Sequence, residues 1–428
     1  MQATLRCFDI SGCNTILLNV PHGKRHHCWK SSMRTSIITQ NASYLGLLAG
    51  NTILGSAMPM MIILGGLAGL MLAPSTALAT LPASLSTLAG FLAAAPFSLL
   101  MGRWGRKAGF LLGVGCAVFG ALIGVWALLS GNFVLLCIGH LALGAALACY
   151  QFFRFAAAEI VSAEWQPVAI SLMLTSGLIA AFVGPQVFIM SKDALAPVPL
   201  AGAYAALAAL SLVGLIPLAL TRLPKPPPSM PQTLRERFAS LSVLNRKPVR
   251  LAVGLGAVSQ GIMVFMMVPT PLAMIGCGFS EALAGDVIRW HVVAMFAPSF
   301  FTGFLIKKFG GQRIAFIGVG LLIVASVAAM SGLSALNFYG SLVLLGVGWN
   351  FGFIGATSIL ATAVSDAEKA VVQGANDTVL ALVSTLCAFA AGAIIAGVGW
   401  IVLSGVSTAL LILALVALLW EARSAVIK

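Results

Sequence analysis

Any chemistry in this chain rests on a few residues set in apolar sequence. His140 lies in LCIGHLALGAALACYQFF, His291 in RWHVVAMFAPSFFTG, and Trp349 and Asn350 share LGVGWNFGFIGATS. Asn51 and Gln260 are flanked in the same way, and Asp377 follows Gln373 and Asn376 in VQGAND. Stripping such groups of water is costly, so within an apolar segment they line a wet cavity or satisfy one another. A histidine near its ordinary pKa of about 6.5 exchanges a proton at working pH. An amide offers both a donor and an acceptor, and an indole offers a stacking face. That inventory suits reversible binding of a flat, hydrogen-bonding, largely neutral ligand. Basic groups for a strong anion are scarce there. Covalent catalysis has no foothold: Gly-x-Ser-x-Gly, His-Glu-x-x-His and the phosphate-binding Gly-x-x-x-x-Gly-Lys-Ser/Thr are all absent.

Each of these residues also has a structural reading. His140 is either a protonatable cavity group or a neutral imidazole bonded to a backbone carbonyl. The glycines around Trp349 and Asn350 either make room for a ligand or let helices approach closely. Arg289, beside Trp290, reads as a cation snorkelling to an interface, which leaves His291 as the better cavity candidate. Pro298 should kink its segment, with Ser299 near enough to satisfy the freed backbone. Asp377 is the one acid placed inside a span. It is either a proton-binding carboxylate or half of an ion pair with Arg103 or Arg106, and Arg154 and Glu159 belong to the same charge cluster.

The elements that position these groups follow from composition. Hydrophobic residues fill 60% of the 428 positions and charged residues 8%, against about 25% charged in soluble domains. So little polar surface cannot cover a water-exposed globule, and the chain must lie in lipid. A net charge of +13 raises nucleic acid as a partner. The cations, however, punctuate apolar segments instead of clustering on a domain, which is a topology signal. Cys116, Cys137, Cys149, Cys277 and Cys387 sit in apolar sequence, where a thiol acts as a small hydrophobe. Cys7, Cys13 and Cys28 accompany His22, His26 and His27 without a Cys-x-x-Cys pair, so no metal site is expected.

From Tyr44 onward twelve segments approach the roughly 20 residues that cross a bilayer, six within 44–221 and six within 249–420. Between them, residues 222–248 form a polar linker whose LPKPPPSMPQ stretch cannot be helical through its prolines. Residues 1–43 read as a cytoplasmic leader, with 1–32 either disordered or upstream of a start at Met33, and 421–428 as a cytoplasmic tail. With both ends in the cytoplasm, 22 of the 24 lysines and arginines fall on that side and only Lys192 and Arg289 on the other. The positive-inside rule therefore places both ends inside.

Residues 98–112, SLLMGRWGRKAGFLL, put Arg103, Arg106 and Lys107 in a tight turn between two apolar runs. This stretch resembles the loop between helices two and three of the major facilitator superfamily, which runs Gly-x-x-x-Asp-Arg-x-Gly-Arg-Arg/Lys. Ser98 and Gly102 stand here at its first glycine and its aspartate. A second copy at 303–313 follows the eighth segment as the first follows the second, so the halves repeat. The resemblance spans about 44–420. It implies an all-α membrane protein with twelve transmembrane helices in two six-helix pseudo-symmetric halves. It further implies a secondary transporter of the bacterial cytoplasmic (inner) membrane, working by alternating access, with no enzyme activity and no cofactor.

In that family the cavity is lined mainly by helices 1, 4, 7 and 10, flanked by 2, 5, 8 and 11. This implies Asn51, His140, Gln260, His291, Trp349 and Asn350 as substrate-binding residues, and Arg103, Arg106, Glu159 and Asp377 as coupling or gating residues. Segments eight to eleven resemble a bacterial subfamily that includes riboflavin importers, so riboflavin uptake is the leading expectation. Gly184-Pro185-Gln186 resembles the bend in fifth helices of exporters, which keeps a proton-coupled exporter of amphipathic compounds open. The missing loop aspartate keeps a non-transporting membrane sensor open as well. Expected partners are a small-molecule substrate and membrane lipids, with the chain a monomer and no nucleic acid.

Overall fold

The computed structural model describes residues 42–161, 166–223 and 242–423. Expectations placed on the leader, on most of the linker and on the final five residues lie outside that set. Among the described residues there are helices and short connections but no strand. The helices are α1 (Ala42–Leu72), α2 (Thr76–Trp104), α3 (Arg106–Leu129), α4 (Phe133–Ala157), α5 (Gln166–Ser191) and α6 (Ala201–Leu220). They continue as α7 (Lys247–Gly276), α8 (Glu281–Phe309), α9 (Gly311–Met330) and α10 (Ala335–Ala363). The last helical run, Asp366–Arg423, is broken at Gly399 (φ 81°, ψ −176°), which separates α11 (366–398) from α12 (400–423).

Ten helices among the described residues are long and apolar enough to cross a membrane, with Val372–Arg423 counted as one. The apolar part of α5, Thr175–Ser191, is shorter. These helices fall in the two stretches where the sequence places its apolar segments, 44–221 and 249–420, and overrun them by no more than a few residues.

The repeat seen in the sequence has a structural counterpart. Gly105 (φ 92°, ψ 160°) separates α2 from α3, and Gly310 (φ 85°, ψ 147°) separates α8 from α9. A side chain opposes that left-handed backbone, so both loop motifs turn the chain in the same way. The helices that follow also pack alike. A Cβ on Gly120 of α3 would lie 2.6 Å from the Gly139 carbonyl of α4, and one on Gly348 of α10 would lie 3.0 Å from the Gly318 carbonyl of α9. Small residues are what allow such contact between membrane helices. The glycines beside Trp349 are thus explained by helix packing.

Two proline sites shape the bundle. Pro298 interrupts α8 between Phe296 and Ser299. In α5, a Cβ on Gly184 would strike the Ser56 carbonyl and approach the Pro59 ring to 3.3 Å. Ser56 marks a step in α1, where its N–H bonds to the Ile53 carbonyl at 3.2 Å. Gly184-Pro185 therefore seats α5 against that step.

The first six and last six helices meet differently at the two faces of the bundle. Away from the chain ends, one apolar core joins Ile63 and Leu67 of α1, Phe188 of α5 and Tyr204 of α6 to Met267 of α7 and Ile288 and Val292 of α8. At the face carrying the chain ends the cores separate. Leu47, Phe110 and Phe153 belong to one, and Val249, Leu360 and Val372 to another. There Arg154 of α4 and Asp377 of α11 bridge the gap at 3.2 Å. Cys149 is buried, whereas Cys277, expected in an apolar segment, is exposed in the turn after α7.

Candidate functional site

A connected set of aromatic and amide side chains crosses the middle of the bundle. Trp349, near the centre of α10, donates its indole N–H to Gln260 Oε1 of α7 at 2.8 Å. Its ring stacks on Phe353 one turn along, with centroids 4.9 Å apart and planes at 14°. It meets Phe296 of α8 edge-on, at 6.2 Å and 75°. Phe296 closes the first piece of α8, and its ring rests on α5, where a Cβ on Gly177 would lie 3.3 Å from it. Beside Gly177, Ser176 Oγ accepts from Asn51 Nδ2 of α1 at 2.7 Å, and the same amide donates to the Met173 carbonyl at 3.2 Å. Asn51, Gln260 and Trp349 are all half-buried. Five helices thus hold two amides and three rings in one line. Such a lining can stack a flat molecule and hydrogen-bond its edges.

Three expected site residues are placed elsewhere. His140 is fully buried, with Ser86 Oγ 3.0 Å from Nδ1 and the Tyr204 hydroxyl 2.7 Å from Nε2. Both ring nitrogens are engaged, by Ser86 of α2 and Tyr204 of α6. Asn350 is also fully buried. It donates to the Met295 carbonyl (2.6 Å) and Ser299 Oγ (2.7 Å) and accepts from Thr302 Oγ1 (2.7 Å). It thereby ties α10 to the break in α8, while Trp349, about 100° round the helix, is half-buried. His291 is buried with Nδ1 bonded to the Leu342 carbonyl at 2.7 Å. A carbonyl only accepts, so Nδ1 carries the hydrogen. Nε2 is then a sealed acceptor with no partner among the described residues.

The charged groups sort by face. Near the chain ends, Arg106 grips Glu159 through three contacts of 2.6–3.2 Å. Lys107 bonds to the Ala219 and Thr221 carbonyls at 2.6 and 3.1 Å and so caps α6, as a cation at a helix C-terminus should. Arg103 is exposed and has no ion-pair partner among the described residues. Asp377 pairs with Arg154 and not with Arg103 or Arg106, because Glu159 already holds Arg106. The Arg154 guanidinium also lies 4.8 Å from the centre of the Phe155 ring. In the C-terminal helices, Arg246 pairs with Glu368 at 2.7 Å and Arg250 with Glu421 at 2.6 Å. The Ser365 backbone N–H, then the Arg246 guanidinium, hold the Glu368 carboxyl down at about 2.

At the opposite face Arg289 is no free snorkelling cation. It pairs with Asp286 at 3.0 Å and donates to Gln186 Oε1 of α5 at 3.2 Å, while the Tyr339 hydroxyl donates to Asp286 at 2.6 Å. Lys192 lies 2.6 Å from Asp193 and 3.4 Å from Glu281, and its bond to Asp193 raises its pKa. Asp377 is therefore not the one acid within a span: α8 contains Glu281 and Asp286, and Glu421 lies near the end of the last span. Among the described residues no group of histidine, cysteine or acidic side chains could hold a metal.

Sequence reasoning missed Phe353, Phe296 and Ser176. Phe353 was within reach, because residues four apart share a helix face and Trp349 precedes it by four. Phe296 and Ser176 become visible only once α8 and α5 are packed together.

Comparison with known proteins agrees with this architecture. The model of the Major Facilitator Superfamily matches residues 41–384. Riboflavin transporter RfnT of Brucella anthropi is 38% identical over 349 residues, covering 81% of this chain and 87% of that protein. Among solved structures, a mutant form of the nucleoside transporter NupG superposes with a TM-score of 0.68 at 14% identity, over 89% of this chain and 99% of that one. The xylose transporter XylE from E. coli, in a partially occluded inward-open conformation, gives 0.65 at 12% identity, over 88% and 96%. This chain belongs to the Major Facilitator Superfamily and is an integral membrane transporter of that fold.

Proposed function

We propose that the chain is a secondary transporter that brings riboflavin, or a closely related flat and largely neutral solute, across the bacterial inner membrane by alternating access. The observation that carries this reading is the half-buried line from Asn51 to Gln260. It crosses from the first six helices to the last six and centres on the stacking face of Trp349. The 38% identity to a riboflavin transporter supports the choice of solute, and the direction follows the resemblance to importers. In this reading two six-helix halves, 44–221 and 249–420, rock about the site as twelve passes, joined by a cytoplasmic linker at 222–248. The protein works as a monomer with both termini in the cytoplasm, surrounded by lipid.

Asn51, Gln260 and Trp349 bind the solute, with Phe296 and Phe353 completing the wall. Asp377 gates the face near the chain ends through Arg154, and Arg106 with Glu159 braces α3 against α4 beneath it. The apolar core at the other face closes the outside while the cytoplasmic side is free to open. Proteoliposomes should accumulate labelled riboflavin, and excess unlabelled riboflavin should compete. Dye efflux without flavin uptake would replace this reading with an exporter, and no transport of either would favour a sensor. A tag near Met230 should resist impermeant reagents in intact cells; labelling there would overturn the topology.

A further inference from the structure

We propose that the two central amides read opposite hydrogen-bonding valences of the solute. Asn51 accepts from a ring N–H, and Gln260 donates to a ring carbonyl or nitrogen, while the ring lies on Trp349. This rests on the function proposed above and narrows the substrate to planar heterocycles that carry an imide edge, an N–H flanked by carbonyls. Riboflavin has one.

The protein partners fix the orientation of each amide. An indole nitrogen only donates, so the Gln260 atom 2.8 Å from Trp349 Nε1 is the oxygen. The NH₂ of Gln260 is then left over. A backbone carbonyl only accepts, so the Asn51 atom facing the Met173 carbonyl is nitrogen, and its second hydrogen goes to Ser176 Oγ. The Asn51 oxygen is then left over. Neither Asn51 Oδ1 nor Gln260 Nε2 has a protein partner among the described residues, and neither is a sealed buried atom.

The contrast with the packed amide is direct, since both hydrogens and the oxygen of Asn350 are engaged inside the protein. Asn51 sits in α1 and Gln260 in α7, the first helix of each half, so each half contributes one complementary valence. A solute lacking the N–H leaves the Asn51 oxygen unpaired, and one lacking the acceptor strands the Gln260 hydrogens. A site of this kind discriminates by polarity more sharply than a hydrophobic pocket does by size.

The test is titration of purified protein with riboflavin and with 3-methylriboflavin, in which the imide N–H is replaced and the ring is otherwise kept. Wild type should bind riboflavin at least about tenfold more tightly. Asn51→Ala should reduce that preference to about twofold or less. Gln260→Glu preserves the acceptor for Trp349 but removes the free donors. It should weaken both flavins by about tenfold while leaving their ratio unchanged. Equal wild-type affinity for the two flavins would overturn the inference and leave the transport reading standing. A preference that survives in Asn51→Ala would also overturn it. If Asn51→Ala does not fold, the wild-type ratio decides alone. Failure of wild type to bind riboflavin at all would overturn both readings.

Discussion

The bundle contains two polar regions of similar composition and opposite character. In the first six helices, Ser86, His140 and Tyr204 form a closed triad whose hydrogen bonds are all spent internally. At the centre, Asn51 and Gln260 are held by protein partners while each keeps one amide atom uncommitted, and Trp349, bonded to Gln260, is half-buried. In an apolar segment a polar side chain is worth its desolvation only if something pairs with it. Where protein atoms supply every partner, the group is glue between helices. Where they supply some and leave one valence over, the remaining partner comes from outside. In the function proposed above, an accessible leftover valence is what separates the residues assigned to binding from the packing residues; the spare acceptor of His291 is sealed.

The largest effect expected on the packed side comes from Asn350→Ala. It removes three hydrogen bonds at the break in α8, and at roughly 0.6 kcal/mol each between membrane helices the loss is about 2 kcal/mol. The thermal midpoint in detergent should fall clearly, and the remaining folded protein should still bind flavin. Tyr204→Phe is the next test, and a sharper one, because it strips one partner from His140 and keeps the ring. It should cost about 1 kcal/mol of stability with flavin affinity unchanged. Loss of affinity without loss of stability would move the triad into the site and break the comparison.

Smaller still is Asp377→Asn. The Arg154–Asp377 pair is partly exposed, 27% and 45%, so it is worth about 0.5–1 kcal/mol at most. Its loss should shift cysteine-accessibility labelling toward opening of the face near the chain ends, with affinity within severalfold. If proton dependence disappears while that balance stays fixed, Asp377 is a coupling acid and not a gate. The smallest expected effect is that of Glu368. Its carboxyl titrates below the unfolded value, so its contribution is complete above about 4.5 and fades only as pH falls through about 2. Glu368→Gln should leave the pH profile of uptake between about 5 and 8 unchanged.

Much of the fold was legible in the sequence because lipid imposes length and apolarity on every span, and because the Gly105 and Gly310 turns repeat a strained backbone that needs glycine. The proposed site was only half legible. Trp349, Gln260 and Asn51 could be read as polar groups in apolar helices, but so could His140, Asn350 and His291. Separating the two sets needs the rotation of each helix about its axis, and these helices are apolar all round, so no polar face reports it. The partner of Asp377 was missed for a similar reason. Arg103, Arg106 and Arg154 lie on the same face of the bundle, and only packing shows that Glu159 has already claimed Arg106.

The central claim is that the open region around Trp349 is where the solute binds. Flavin titration of Trp349→Ala and Trp349→Phe, with thermal midpoints measured on the same samples, tests it most directly. Stacking of a flat heterocycle on an aromatic face is worth about 1–3 kcal/mol. Trp349→Ala should therefore lose about tenfold or more in riboflavin affinity while its midpoint stays near wild type, and Trp349→Phe should bind within about threefold. Wild-type affinity in a stable Trp349→Ala protein would contradict the account and remove α10 from the site.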